Sequence, residues 1–164
     1  SDDEERHAGY RQALLDAGLG YDPTLFVPGT GRAASGRRAL SILRGLSVPS
    51  TAIFCYNDMT AIGLLQAARE AGLEVPQDVA LVGFDDIPFA SYVCPSLTTI
   101  SQPMDEMGRE AMHMVLRLIG DEQAGGEAVA NVVVRGRLVV RESSGATLHP
   151  TSNITDQVLQ EVHQ

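Results

Sequence analysis

The chain has 164 residues, 44% hydrophobic and 20% charged, with a net charge of −9. That is long enough for one domain burying roughly two-thirds of its unfolded surface, and too acidic as a whole to hold DNA or an anionic membrane by charge. No apolar run nears the ~20 residues of a membrane span, and Cys55 and Cys94, both beside apolar residues and outside any C-x-x-C spacing, read as reduced core thiols of a cytoplasmic protein.

The first five residues, Ser1-Asp2-Asp3-Glu4-Glu5, are acidic and lack signal-peptide character, and the chain does not begin with Met, so it reads as a piece of a longer one. Residues 4–17 read as a helix, with acids in the first turn and Gly18 as its left-handed stop. Arg6 lies near its start, free to pair with Asp2 or Asp3 in solvent. Asp22-Pro23 turns the chain, and residues 25–27 read as a short strand closed by Pro28. Gly29-Thr30-Gly31-Arg32-Ala33-Ala34 then matches G-x-G-x-x-A, the loose form of a dinucleotide fingerprint. It follows an expected strand and precedes an expected helix, and Asn57-Asp58 ends the next strand where a ribose-binding acid could sit. Loop glycines more often serve positive φ, and Pro28 disturbs the tight entry this motif needs.

Residues 33–46 read as a helix burying Ala39, Leu40, Leu43 and Leu46. Arg32, Arg37, Arg38 and Arg44 occupy its other side, a solvated face or a phosphate-binding one. Residues 51–56 form a strand, 59–71 a helix capped by Asn57 or Asp58. One of that pair caps, and the other points into a cleft beside Asp85. The run 79–84, Val79-Ala80-Leu81-Val82-Gly83-Phe84, is continuous, apolar and Val/Leu-rich, as in a strand covered on both faces. It ends in Asp85-Asp86-Ile87-Pro88. Ligands of open α/β sheets sit beyond the carboxyl ends of strands, so Asp85 is a candidate acceptor for ligand hydroxyls, while Asp86 reads as the cap of a short helix at 89–93. Strand–helix alternation from 25 to 84 implies right-handed crossovers and a parallel sheet.

Residues 97–100 read as a β-branched strand, and 104–119 as a long helix whose Met107, Ala111, Met114, Val115 and Leu118 fall at helical spacing. A polar loop at 121–128 precedes strands at 129–134 and 138–141. The tail is polar, with Ile154, Val158, Leu159 and Val162 spaced for a marginal helix. No nucleophile–base pair is legible, His7, His113, His149 and His163 being scattered, so no enzyme and no cofactor or metal is expected.

Several segments share an order and spacing: Arg6-His7-Ala8-Gly9-Tyr10, Asp22-Pro23, 50–59 ending Tyr56-Asn57-Asp58-Met59, 72–79 with Val75-Pro76-Gln77-Asp78-Val79, Val82-Gly83-Phe84-Asp85-Asp86, Pro95-Ser96-Leu97-Thr98-Thr99-Ile100, and Leu138-Val139-Val140-Arg141-Glu142-Ser143. From about residue 4 to 144 the chain resembles the lac-repressor/galactose-repressor family of bacterial transcription regulators. The resemblance implies an α/β fold, a parallel sheet flanked by helices like that of periplasmic sugar-binding proteins. Two lobes would close on a small-molecule effector, and a separate N-terminal helix-turn-helix headpiece would bind operator DNA as a homodimer.

Only the later part of that plan is matched, mostly the C-terminal lobe without its first strand-helix-strand. Residues 1–101 and 129–144 would belong to that lobe, 102–128 to the crossover and a helix of the N-terminal lobe, and 145–164 to a tail. Helix 104–119 would then show an apolar face without its usual cover. Carried over residue by residue, Arg6, Asn57 and Asp85 match effector-binding positions. Gln102 and Met104 match crossover positions facing the cleft. Gly31 stands where many members place an aromatic that stacks on the ligand. Dimer contacts would fall on Ile62, Leu65, Gln66, Tyr92 and Val93. The implied effector is a sugar or sugar derivative. The alternative is a periplasmic sugar-binding protein of a transporter, and a further one a nucleotide-binding enzyme domain using residues 29–34.

Overall fold

The structure, a computed structural model, describes residues 2–120 and 132–146. Its elements in chain order are α1 (Asp2–Asp16), α2 (Ala33–Arg44), β1 (Ala52–Phe54), α3 (Asp58–Glu70), β2 (Ala80–Asp85), β3 (Thr98–Ser101), α4 (Met104–Gly120) and β4 (Arg137–Val139). Short 3-10 turns occupy Pro23–Leu25, Pro88–Ser91 and Glu142–Ser144.

The four strands form one sheet in the order β1-β2-β3-β4. β1 and β2 run parallel, with Ile53 opposite Leu81, and β2 and β3 run parallel, with Gly83 opposite Thr99. β4 joins antiparallel, pairing Ile100 with Leu138. The sheet is therefore mixed, its parallel part built by the β1–α3–β2 crossover that the alternation implied.

Side chains alternate across the sheet. On one face Leu81 is fully buried beneath α3, whose Ala61, Leu64 and Ala68 are also at 0% exposure, and Ile53, Leu73, Val75 and Val93 pack against this cluster. α2 lies on α3 rather than on the sheet. Two glycines bring the helices together, since a Cβ at Gly36 would collide with the Thr60 carbonyl and one at Gly63 with the Ala33 carbonyl. On the opposite face the cover is thinner. α1 supplies it through Tyr10, stacked 6.5 Å from Phe54, and Arg6 over Phe84. Phe54 keeps 41% exposure, and Val82 and Phe84 are half-buried. The expectation of a strand covered on both faces holds for one face only.

Several expectations need correcting. Residues 25–27 form no strand. Asp22 caps the turn Pro23–Leu25 by accepting from the Thr24 N–H at 2.8 Å, a local bond that outcompetes extension where no partner strand lies alongside. Helix α2 ends at Arg44 rather than at residue 46, where Gly45 closes the last turn. Residues 132–134 form no strand, and 129–131 lie outside the described residues, as do the 121–128 loop and the 154–162 helix. Cys55 is buried, and its thiol is pushed up to about 12 by burial and by the Asp58 charge. Cys94 is exposed on the turn before Pro95, so its apolar neighbours misled. Gly18 does stop α1, at φ 69°. Among the described residues, no helix is long and apolar enough to cross a membrane.

Candidate functional site

Three strand and helix ends meet around Asp85. β2 delivers it, and its backbone leaves the extended region at once, with φ 113° at Asp85 and 58° at Asp86. Both are non-glycine residues with positive φ, a conformation that persists only where the surroundings enforce it and that clusters at ligand sites. Arg6 of α1 reaches across the thin face of the sheet, its Nη2 3.7 Å from Asp85 Oδ1 and its Nη1 donating to the Tyr56 carbonyl at 2.7 Å. The guanidinium is held over Phe84, 4.0 Å from the ring centroid, and Tyr56, at 4.5 Å, an arrangement favourable for a cation on aromatic faces. The Arg6 side chain is thus no solvated group: it keeps only 18% exposure. Gln102, just past β3, donates Nε2–H to the same Asp85 Oδ1 at 2.7 Å. Both of these contacts fall on Oδ1, and the Asp85 side chain keeps 31% exposure.

Asn57 stands next to Tyr56 and is the cap of α3. Its Oδ1 accepts from the Thr60 N–H at 2.9 Å and from the Thr60 hydroxyl, and its Nδ2 donates to the Gly31 carbonyl at 2.9 Å. One amide hydrogen of Asn57 remains for a ligand. Gly31 therefore sits against the site's wall, where a Cβ would lie 3.2 Å from Asn57 Nδ2 and 3.3 Å from the Tyr56 ring. Met104, at the start of α4, is 65% exposed. With Gln102, Arg109, Arg135 and Arg137 it lines a hollow of about 490 Å³ beside the crossover.

The residue paired with Asn57 behaves differently from either role expected for it. Asp58 neither caps α3 nor faces the cleft. It is fully buried beneath the Asp85–Asp86 turn, Oδ1 accepting from the Thr99 hydroxyl at 2.6 Å and Oδ2 from the Ile87 N–H at 2.9 Å. Burial raises its pKa, against those two hydrogen bonds, and the nearby Asp85 and Asp86 charges add to the rise. Asp86 is no cap either. The turn at Pro88–Ser91 is entered through Ile87 without a side-chain bond. Asp86 instead pairs with Arg141 at 2.8 Å. Burial alone would raise its carboxyl, but hydrogen bonds from Arg141 and Ser101 with the Arg141 charge outweigh that and hold it below its ordinary value. Arg141 also donates to the Leu97 carbonyl at 2.8 Å, so the segment after β4 is pinned to the ends of β2 and β3.

The structure brings the expected Arg6, Asp85 and Gln102 together, and places around them Tyr56, Phe84, Thr99 and Arg141, which the sequence did not single out. Tyr56 and Phe84 immediately precede the strand-end residues Asn57 and Asp85. An aromatic one step before a strand-end polar group was the available signal. The pairing of Arg141 with Asp86, 55 residues apart, has no local signal.

The dinucleotide fingerprint lacks its strand, since residues 25–27 are not extended in a sheet, and Arg32 enters α2 without a capping bond. Two of the four arginines on that face are held by neighbours: Arg37 pairs with Glu70 and Arg38 donates to the Pro28 carbonyl at 2.7 Å. Of the residues proposed for dimer contacts, Tyr92 is 82% exposed, Gln66 is exposed, and Ile62 and Val93 are half-buried. Leu65 lies in the core at 7% and has almost no surface to offer a partner. Among the described residues, no group of three or more His, Cys, Asp or Glu could hold a metal ion.

A strand-end carboxylate opposed by a guanidinium, in a sheet of this topology, defines a class, and residues 1–144 match the family model of the periplasmic binding protein-like domain. The chain belongs to that family, and within it to the branch of the lac-repressor/galactose-repressor regulators. It is 40% identical over 120 residues to the transcriptional repressor CytR of Escherichia coli K12, covering 73% of this chain and 35% of CytR. It is 38% identical over 138 residues to the repressor PurR of Klebsiella pneumoniae, covering 84% of this chain and 40% of PurR. The solved regulator CelR in complex with cellobiose superposes with a TM-score of 0.76 at 39% identity, over 85% of this chain and 42% of that one. The chain spans 35–40% of the length of these curated relatives.

Proposed function

We propose that this chain is the effector-sensing part of a bacterial transcription regulator, acting in the cytoplasm by binding rather than by catalysis. The observation that carries the reading is the convergence of Arg6, Asp85 and Gln102 from α1, β2 and the β3 end. Arg6 and Asp85 cancel in charge, so the site suits a neutral ligand. Asp85 Oδ2 can accept from one hydroxyl, while Arg6 and the spare Asn57 amide hydrogen can donate to others, the complement of a polyol. A sugar or sugar derivative fits, and a relative solved with cellobiose supports it.

In this reading Gln102 and Met104 lie at a crossover between lobes, residues 1–101 and 129–144 form one lobe, and 102–128 belong to the other. The exposed apolar side of α4 supports that division, since it is the side a second lobe would cover. The effector bridges the lobes and shifts an open–closed equilibrium, for which roughly 1–3 kcal/mol of differential affinity suffices. The regulator is a homodimer, with Ile62, Gln66, Tyr92 and Val93 in the contact and Leu65 behind it. Operator DNA is bound by a helix-turn-helix headpiece outside this chain. The curated relatives are repressors, which favours this reading over a transporter's binding protein.

The test is a thermal-shift screen of sugars, cellobiose first, on the full-length regulator, followed by Asp85→Asn. A bound sugar raises the unfolding temperature, and Asp85→Asn cancels that rise and the sugar's effect on operator affinity. An unchanged response in Asp85→Asn overturns the assignment.

A further inference from the structure

We infer that Asp58 is a positioning residue of the effector site, a buried clamp that holds the left-handed turn aiming Asp85 at the ligand. The inference rests on the effector reading for its purpose, and on the following geometry for its content. Asp58 is the first residue of α3, where an acid ordinarily serves the helix N-terminus. Asn57 already caps this helix, and both oxygens of Asp58 are directed elsewhere. Oδ2 takes the Ile87 N–H, 29 residues away, and Oδ1 takes the Thr99 hydroxyl, 41 residues away. Thr99 Oγ1 in turn receives the Asp86 N–H at 3.4 Å. The two backbone amides that follow Asp85 therefore end on one carboxylate, directly at Ile87 and through Thr99 at Asp86.

This is where the turn needs holding. The β2–β3 ladder stops at the Asp85–Ser101 pair, and positive φ falls on the last-rung residue Asp85 and on Asp86 just past it. Without an acceptor beneath the turn, the Asp86 and Ile87 amides would lie unpaired in a half-buried position and the turn would relax toward extended backbone. Gly83 supplies the space. A Cβ there would collide with Asp58 Oδ1, so the glycine inside β2 admits the carboxylate under the strand end. Asp58 touches no ligand; it acts through the turn on Asp85, whose Oδ1 then meets Gln102 Nε2–H.

The readout is the Gln102–Asp85 bond itself, followed by NMR in the effector-free full-length regulator labelled with isotope at glutamine. The Gln102 side-chain amide is identified by its loss in Gln102→Met. In the parent its protons are protected from solvent exchange. In Asp58→Asn and in Thr99→Val that protection falls by about tenfold or more, while the far-ultraviolet dichroism of Thr99→Val stays near the parent's. Thr99→Ser, which keeps the hydroxyl and loses the methyl group, retains the protection. If Thr99→Val keeps the protected signal, or Thr99→Ser loses it as fully as Thr99→Val, packing rather than the hydroxyl holds the turn and the inference is overturned. If Asp58→Asn does not fold, the Thr99 pair alone decides. No sugar enters the experiment, so a failed effector screen leaves this result standing, and a lost clamp leaves the effector reading to its own test.

Discussion

Helices α3 and α4 both carry apolar residues at helical spacing and meet opposite fates. On α3, Ala61, Leu64 and Ala68 are at 0% exposure; on α4, Met104, Leu118 and Ile119 are at 65%, 63% and 70%, and none of its described side chains is buried. A helical stripe tells which side wants cover. Whether cover exists depends on what the chain places next to it. α3 has the sheet on one side and α2 on another, with Gly36 and Gly63 letting backbones approach. α4, which follows β3, has no such neighbour among the described residues. The contrast is sharp enough to be tested by making matched changes in the two helices of this 164-residue chain.

The largest expected effect is Gly63→Ala. In an ordinary helix this change is mildly stabilising, but here the new methyl group collides with the Ala33 backbone, and rigid backbone on both sides leaves no cheap escape. A loss of about 3 kcal/mol or more is expected, read as a fall in the urea midpoint. Next comes the pair Leu64→Ala and Leu118→Ala. Removing Leu64 opens a cavity in the core and should cost roughly 2–4 kcal/mol, whereas Leu118, 63% exposed, should cost no more than about 0.5 kcal/mol. Equal losses would mean that α4 is as well covered as α3.

What the sequence made legible follows the same division. Helical and strand periodicity placed α1, α3, β2, β3 and α4 to within a residue or two, because each carries a local pattern of its own. The strand expected at 25–27 failed because three apolar residues specify extension only if a neighbour pairs with them, and Asp22 offered a cheaper local turn. Asp85 was reached from its place at the carboxyl end of an apolar strand, whereas Arg6 and Gln102 were reached only through the family's spacing. Asp58 and Asp86 were misassigned for a shared reason. A carboxylate next to a helix start looks like a cap, and only three-dimensional contact shows that Thr99 and Arg141 have claimed it. Leu65 was assigned to a surface by analogy, while the core between α3 and the sheet buries it.

A smaller effect is expected just past β4. Arg141 pins that segment through Asp86. The Asp86 carboxyl is held below its ordinary value in the fold, so its contribution is fully present above the unfolded pKa and is lost as pH falls through the lowered folded value. Arg141→Gln should therefore cost about 1 kcal/mol near neutral pH, after allowing for solvent screening of a partly exposed pair. The difference between the variant and the parent should close as the solution becomes acid enough to protonate Asp86. Urea midpoints measured from pH 7 downward check both size and direction. A gap that widened in acid would show that Asp86 is not the partner that matters.

The smallest effect is the most discriminating. Gly108 lies inside α4, and a Cβ there would meet nothing within 4 Å. Gly108→Ala should thus gain the ordinary helix preference of alanine, about 0.5–1 kcal/mol. Because α4 is scarcely packed against the lobe, that gain belongs to α4 alone. Amide exchange within α4 should slow severalfold while the urea midpoint of the lobe hardly moves, since weakly coupled segments open independently of the core. The identical substitution thus stabilises one helix and breaks the other. A fall in stability for Gly108→Ala would require some atom to lie against that position, and α4 would no longer count as bare. Repeated in the full-length regulator, the same change asks whether a second lobe covers this side of α4. There the gain should either spread to the global midpoint or turn into a cost if the covering surface leaves no room for the methyl group.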